Sequence, residues 1–272
     1  MKTILIAGGN SGIGLQAARD LLADGHRLVL LGRDPRKGEA ALASFGTAAD
    51  RASFVAADLS THDGVRDAAQ RVLGRHDRID AILHTTGVFT FQESRTTDDL
   101  HPFFTVNYLS RYHLTQLLLP ALRQAQRPVV IMMTAAIAPT DDTDFTRFPQ
   151  FAPFNFGHDR KPVQLANHHY AAHLSRTEPG LAAGVVNAGS ARTDIMRIAP
   201  WYMRAGTKIL GPLVFDSVET SAHNAVEATR REDWHAPLYW GKPGRFEQHT
   251  AITLDTATTQ HLMDVSRKLT DA

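Results

Sequence analysis

The stretch "TILIAGGNSGIG" (3–14) decides the fold. A short apolar run of strand type enters a glycine-rich turn, and the turn opens onto an amphipathic run from about Ile13 to Ala23. At such a junction each glycine has a separate task. Gly8 permits the tight turn, Gly12 lets the backbone approach a pyrophosphate, and Gly14 lets the helix pack closely on the sheet. The helix start then offers free N–H groups and a partial positive charge to phosphate oxygens. Asn10, Ser11 and Ile13 complete this candidate phosphate-binding turn. A glycine-rich turn gains weight from its position at the first strand–helix junction, because the motif needs that context.

The same alternation continues along the chain. "RLVLL" (27–31), "ASFVAA" (52–57), "IDAILH" (79–84), "PVVIMM" (128–133), "LAAGVVNAG" (181–189) and "APLYW" (236–240) read as further strands. Helical runs separate the first of them, across 36–45, 62–74 and roughly 99–125. Apolar strands alternating with helices imply a mostly parallel sheet covered on both faces. The expectation is a single-domain α/β chain over 1–272. It is of Rossmann type, with a doubly wound, mostly parallel seven-stranded sheet and helices on both faces.

Composition narrows the function. The 272 residues are 43% hydrophobic, with 29 basic and 28 acidic residues and a net charge of +1. No Lys/Arg run supports a nucleic-acid or anionic-membrane role. Cysteine is absent, which excludes disulfides, cysteine-ligated zinc and thiol catalysis. No apolar run is long enough to span a bilayer, and the start "MKTILIAGG" reads as a strand rather than a signal peptide. These features point to a cytoplasmic protein.

The turn "AGGNSGIG" is spaced more widely than G-x-G-x-x-G. It resembles the turn T-G-x-x-x-G-x-G of the short-chain dehydrogenase/reductase superfamily, with Ala7 in place of the threonine. The resemblance covers almost the whole chain. "AADLS" (56–60) resembles the segment that touches adenine, through Asp58 and its neighbour Leu59. "LHTTGV" (83–88) stands where that family has "NNAG", and keeps Gly87. "FTVNYLSRYHLTQLLLPAL" (104–122) resembles the retinol dehydrogenase-like branch, including an active-site asparagine at Asn107. "VVNAGSARTDI" (185–195) resembles the family's PG-x-x-x-T turn, with Ala188 for the proline and with Gly189 and Thr193 kept. "MDVSRKL" (263–269) is similar to that branch's C-terminal helix. The resemblance implies a nicotinamide cofactor. Strand two ends in "LLGRDPRKG", where an NAD enzyme usually carries an acidic residue. Here Arg33 suits a ribose 2′-phosphate, which favours NADP(H), and Asn10 and Ser11 add hydrogen bonds to the same phosphate.

The catalytic half departs from the family. A serine is expected after strand five, and "IMMTAAIA" places Thr134 and Ala135 there; Ala135 aligns with the catalytic position, and Thr134 serves if the register shifts by one. Tyrosine and lysine are expected in Y-x-x-x-K before "LAN". "FGHDRKPVQLAN" (156–167) supplies Arg160 and Gln164 instead, and no Y-x-x-x-K exists anywhere in the chain. Arginine stays protonated, so it can steady an oxyanion but does not give up a proton readily. Glutamine can bind ribose hydroxyls but brings no charge. Loss of a positioned general acid costs about 10²- to 10⁴-fold in rate. His158, Asp159, His84 and Thr134 are candidate substitutes, and a histidine is the natural one because imidazole ordinarily exchanges protons near neutrality. Arg160 is either an electrostatic group or a surface arginine in a site that has decayed, and pairing with Asp141, Asp142, Asp144 or Asp159 would neutralise the first role.

Three readings stand together. The first is an atypical NADP(H)-dependent oxidoreductase acting on a carbonyl or secondary alcohol of a hydrophobic small molecule, with Asn107, Thr134, Arg160, Gln164 and His158 as its catalytic set. The second is a non-redox cyclase, dehydratase or isomerase on the same fold. The third is a non-catalytic NADP(H)-binding protein. "DFTRFPQFAPFNF" (144–156), with five phenylalanines, reads as an aromatic substrate wall or as a patch packed on a partner subunit. In the family this chain resembles, the stretch equivalent to 195–215 is the mobile substrate lid, so the resemblance implies a lid there. His169 and His173 have metal-ligand spacing but lack the glutamate of H-E-x-x-H, so no metal is assigned. Homologous folds pair through the helices containing 99–125 and 159–176, so the resemblance implies a homodimer or homotetramer.

Overall fold

The computed structural model describes residues 1–135, 143–189, 216–247 and 254–271. In chain order the elements begin β1 (Thr3–Ala7), α1 (Gly12–Ala23), β2 (Arg27–Gly32), α2 (Pro35–Ala43), β3 (Ala52–Ala56), α3 (His62–Leu73) and β4 (Ala81–His84). The long helix α4 follows in three segments: Pro102–Phe104, a π segment Thr105–Leu109, and Ser110–Leu122. Then come β5 (Val129–Thr134), α5 (Phe156–Thr177), β6 (Ala182–Asn187), α6 (Val218–Arg230), β7 (Leu238–Trp240) and α7 (Thr256–Thr270). The sheet order is β3-β2-β1-β4-β5-β6-β7, with parallel pairing throughout. Six strands have four to six residues, and β7 is a three-residue edge.

Strand alternation builds two cores. Leu5 and Ala7 face α3, α4, α5 and α7, while Ile4 and Ile6 face α1, α2 and α6. Both faces of each central strand are therefore apolar, as a sheet covered on two sides requires. The chain leaves β1 for β2 on one side and reaches β4 on the other. That reversal opens a crevice at the carboxyl ends of β1 and β4, where open α/β sheets bind ligands.

Several boundaries differ from the sequence expectation. The strand expected at 79–84 starts at Ala81, because the Ile79 and Asp80 N–H groups donate to Ala121 O and Thr3 O. The strand expected at 181–189 ends at Asn187, whose Oδ1 accepts from Gly189 N while Gly189 turns at φ +66°. Asn155 caps α5 by accepting from His158 N, so "FGHDRKPVQLAN" is helical from its first residue. The phenylalanine-rich stretch is divided. Phe148 and Phe151 are core residues packed edge-on or tilted against Phe104, so they do not form a substrate wall. Helix α7 lies against α4 and α5: Tyr108 OH and Ser266 Oγ are 2.8 Å apart, and His169 Nδ1 lies 2.7 Å from Thr259 Oγ1. Part of the surface through which two copies were expected to pair is thus covered within the chain. Among the described residues no helix is long and apolar enough to cross a membrane.

The packing carries a pH dependence. Burial pushes His113 and His169 down to about 4 and His168 down to about 3, from an ordinary 6.5. A histidine with a lower pKa in the folded chain binds fewer protons there than in the unfolded chain, so acidification favours unfolding. The contribution of these histidines to stability should fall as pH drops through 6.5 and be fully lost below their folded values. Thermal melts should show this decline, and His113→Phe should make it shallower. A melting midpoint that stays constant between pH 6.5 and 4 would contradict the buried, neutral state of these rings.

Candidate active site

The nucleotide cradle follows from close packing at the end of β1. Gly8 holds φ +90°, and its N–H donates to Leu31 O at 2.8 Å. A Cβ on Gly14 would lie 2.3 Å from Gly8 O and 2.4 Å from Thr85 Oγ1, so only glycine fits without movement. Thr85 Oγ1 donates to Ala7 O at 2.8 Å, which ties the loop after β4 to the same turn. Gly12 also lies at positive φ, +52°. Ser11 is the N-cap of α1 yet makes no side-chain cap hydrogen bond, whereas Asp34, Thr61, Asn155, Ser217 and Asp255 cap α2, α3, α5, α6 and α7. The first N–H groups of α1 are therefore left for a ligand.

The rim of the cradle is polar and basic. The Asn10 carboxamide reaches Asp34 O at 3.4 Å and sits where a Cβ on Gly32 would come within 2.5 Å. Arg33 is exposed and forms no ion pair among the described residues. A cavity of about 350 Å³ between α1 and α2 is lined by Asn10, Ser11, Gly12, Arg19 and Lys37. Ile13 is half-buried beside the turn. Asp58 is exposed, and its carboxylate accepts from Ser60 N and Oγ at 2.9 and 2.7 Å, while Leu59 is buried. A cradle that a Cβ would fill, an uncapped helix start and a basic rim fit a nicotinamide dinucleotide.

The reactive end centres on Asn107. Its Oδ1 accepts from Val88 N at 3.2 Å, and its Nδ2 donates to Val88 O at 3.0 Å and to Phe103 O at 2.8 Å. It lies in the π segment of α4, a local widening frequent at functional sites. Gly87 is the near neighbour: a Cβ there would meet Asn107 Oδ1 at 3.2 Å. From α5, Asn167 Nδ2 donates to Asn107 O, Val163 O and Gln164 O. Gln164 is nearly buried, and its Oε1 accepts a long hydrogen bond of 3.4 Å from Ala135 N. Thr134 ends β5 with its Oγ1 buried and, among the described residues, without a partner, while Ala135 is exposed. Asn107, Thr134 and Gln164 are thus linked through Gly87, Asn167 and Ala135.

Arg160 sits one turn before Gln164 on the same face of α5. It is exposed, forms no ion pair among the described residues, and holds its guanidinium 5.9 Å from the Phe156 ring centre. Phe156 in turn contacts Phe89, Phe91 and Phe103, with centroids at 4.5, 4.9 and 5.6 Å. Asp159 does not pair with Arg160. Burial acts to raise the Asp159 carboxyl, but hydrogen bonds from Asn155, His158 and Arg147 outweigh it and hold the pKa down. Arg147 reaches it at 2.9 Å.

His158 stands apart from this set. It lies two residues before Arg160, roughly 200° around the helix, with Nδ1 3.0 Å from Asp159 Oδ1. His84 is fully buried against Thr115 Oγ1 at 2.9 Å, and burial pushes its pKa well down. Thr193 and the expected lid at 195–215 lie outside the described residues, as do Asp141 and Asp142. Arg111 and Asn167 are members of the site that the sequence did not single out. No local pattern marks Arg111, whereas Asn167 belongs to the "LAN" already aligned with the family motif.

Comparison with known proteins agrees with this geometry. The family model described as short chain dehydrogenase matches residues 2–142, just over half of the chain. Polyprenol dehydrogenase of Mus musculus is 28% identical over 273 residues, covering 96% of this chain and 80% of the relative. Retinol dehydrogenase 12 of Mus musculus is 28% identical over 238 residues, covering 85% and 74%. Among solved structures, an uncharacterized protein from Mycobacterium Paratuberculosis superposes with a TM-score of 0.75 at 21% identity, covering 100% of this chain and 94% of that one. The Pseudomonas aeruginosa RhlG/NADP active-site complex superposes at 0.66 with 21% identity, covering 84% and 89%.

The cradle predicts a sharp response to one methyl group. Gly14→Ala must open the turn against a backbone oxygen, and it should weaken binding of a nicotinamide dinucleotide by at least about tenfold, or ~1.4 kcal/mol. Calorimetric titration beside a circular-dichroism check of folding measures this. Unchanged affinity in a folded variant would remove the turn from the binding site.

Proposed function

Since the chain belongs to the short chain dehydrogenase family, in its retinol dehydrogenase-like branch, we propose that it is an NADP(H)-dependent oxidoreductase with an atypical active site. Its substrate in this proposal is a carbonyl or secondary alcohol on a hydrophobic small molecule. The observation that carries the proposal is the Thr134 hydroxyl, buried at the end of β5 and without a partner among the described residues, in the strand whose next residue is bonded to Gln164. A buried hydroxyl without a partner is costly unless a ligand satisfies it.

Each residue then has a task. The glycine turn and the α1 N–H groups hold the pyrophosphate, and Arg33 with Asn10 and Ser11 takes the 2′-phosphate. Bound NADP(H) supplies or accepts the hydride. Thr134 donates a hydrogen bond to the substrate oxygen. Gln164 keeps its Oε1 on Ala135 N and turns its amide nitrogen to a ribose hydroxyl. Arg160, fixed in its charge, steadies oxygen-centred negative charge at the mouth of the site. Water supplies the proton, because His158 is bound to Asp159 on another face of α5. Phe89, Phe91 and Phe156 support an apolar or aromatic substrate, in keeping with relatives named for polyprenol and retinol. NADP in the name of a similar solved structure supports the cofactor choice. A cytoplasmic location belongs to the same proposal, as does assembly through the parts of α4 and α5 that α7 leaves uncovered.

Cofactor choice is tested by titration. NADPH should bind at least about tenfold more tightly than NADH through the charge-assisted phosphate contact, and Arg33→Ala should bring the two affinities close together. Equal affinities in the unaltered protein would remove the role of Arg33.

The chemistry is tested by following NADPH oxidation and product formation together, with all-trans-retinal and long-chain prenyl aldehydes as probes. Both signals should appear in step. Arg160→Ala should lower turnover ~10²- to 10³-fold, with Arg160→Lys restoring little because it lacks the planar fork. The rate should stay flat from about pH 6 to 9, since no side chain titrating in that range delivers the proton; a profile flattened only by His158→Ala would reinstate the histidine. Product without NADPH oxidation would favour a cyclase, dehydratase or isomerase. Tight NADPH binding without turnover would favour a non-catalytic cofactor-binding protein.

A further inference from the structure

One charge in this site is unaccounted for. Arg111 of α4 is almost wholly buried. Its Nη2 donates to Thr86 O at 2.7 Å and its Nη1 to Asn167 Oδ1 at 3.1 Å. Its Nε has no partner, and no carboxylate pairs with it among the described residues. Burial alone pushes the guanidinium down, to about 9, which still leaves it charged at neutral pH. Its charge acts on His84, whose pKa is lowered by burial first and by the Arg111 charge second. Two neutral acceptors do not offset the desolvation of a buried cation, which costs several kcal/mol.

The place of the charge gives it a use. Thr86 precedes Gly87, whose Cα faces Asn107 Oδ1. Asn167 holds Asn107 O and Gln164 O through its amide nitrogen. The guanidinium is thus one hydrogen bond behind two of the segments that frame the reactive end: the loop after β4 and helix α5. Position 164 carries an uncharged glutamine, and the cation of this site's interior is supplied from α4 instead.

We infer that Arg111 is the charge-bearing positioning residue of the site: it orients the Thr86 carbonyl and the Asn167 amide and gives the pocket a positive potential that discriminates between cofactor oxidation states. The oxidised nicotinamide ring carries a positive charge and the reduced ring does not. A fixed cation behind the pocket disfavours the oxidised form relative to the reduced one. This rests on the dinucleotide reading of the site, and its test separates the two.

The experiment titrates NADPH and NADP⁺ separately into the unaltered protein, Arg111→Lys and Arg111→Met at neutral pH, with thermal melts as a check of folding. The unaltered protein should prefer NADPH. Arg111→Met should shrink the NADPH-to-NADP⁺ affinity ratio by at least about threefold, as removal of one charge at moderate range in a protein interior predicts. Arg111→Lys should keep the ratio within about twofold while weakening both forms, because lysine keeps the charge but not the fork. A purely structural role would weaken both forms equally and leave the ratio unchanged in every variant, which would overturn the inference. Where Arg111→Met does not fold, Arg111→Gln, which is neutral and can keep a hydrogen bond to Thr86 O, reads the same ratio. Failure of the unaltered protein to bind either form would overturn the cofactor reading and this inference with it. Binding with an unmoved ratio would overturn this inference alone.

Discussion

The Asn107 carboxamide behaves as a piece of backbone. It exchanges two hydrogen bonds with Val88, accepting from the N–H and donating to the carbonyl, as a neighbouring strand would. That pairing fixes the loop after β4 against α4 without adding a strand to the sheet. The π segment sets Asn107 at the needed angle, because widening the helix by a residue turns this side chain out of the regular ladder. Gly87, Asn167 and Gln164 then take their places around it. If Asn107 pointed elsewhere, Val88 N and Val88 O would lose these side-chain hydrogen bonds.

Much of the architecture was visible in the residues because local signals agreed. "TILIA" followed by glycines specified a strand, a turn and a helix in order, and the Cβ distances at Gly14 show why no larger residue stands there. The apolar strands specified a sheet covered on both faces, and Arg33 could be placed from its position after strand two. Element ends were harder to read. Ile79 has the apolar character of a strand residue, but its N–H goes to Ala121 O, a partner no local pattern announces.

The catalytic end was less legible, because its geometry depends on tertiary partners. Phe148 and Phe151 look like ligand-contacting aromatics in sequence and prove to be core, since Phe104 lies opposite them. Asp159 adjoins Arg160 in the chain, but successive helical residues point in different directions, and Arg147 from the preceding loop takes the carboxylate. Arg111 sits in a run that reads as an ordinary mixed helix, and only the structure shows that its face is internal. The missing tyrosine and lysine, by contrast, were plain in sequence, since absence of a fixed-spacing pair needs no tertiary information.

Electrostatics connects these substitutions. A tyrosine acid works when a neighbouring cation lowers its pKa, so replacing the tyrosine removes the reason to keep a lysine one turn later. Arginine at 160 is an exposed cation on α5, and a lysine at 164 would stand one turn from it as a like charge, a repulsive arrangement on a helix. Glutamine at 164 avoids that repulsion and still reaches Ala135 N. The interior cation resides instead on Arg111, separated from the rim by Asn167 and bound to Thr86. Among the described residues the proposed site therefore has two positive charges on different elements, Arg160 exposed and Arg111 buried. In the proposed oxidoreductase such a layout would stabilise negative charge on oxygen by field, with water as the proton source, so that reading needs no side chain that titrates near neutrality.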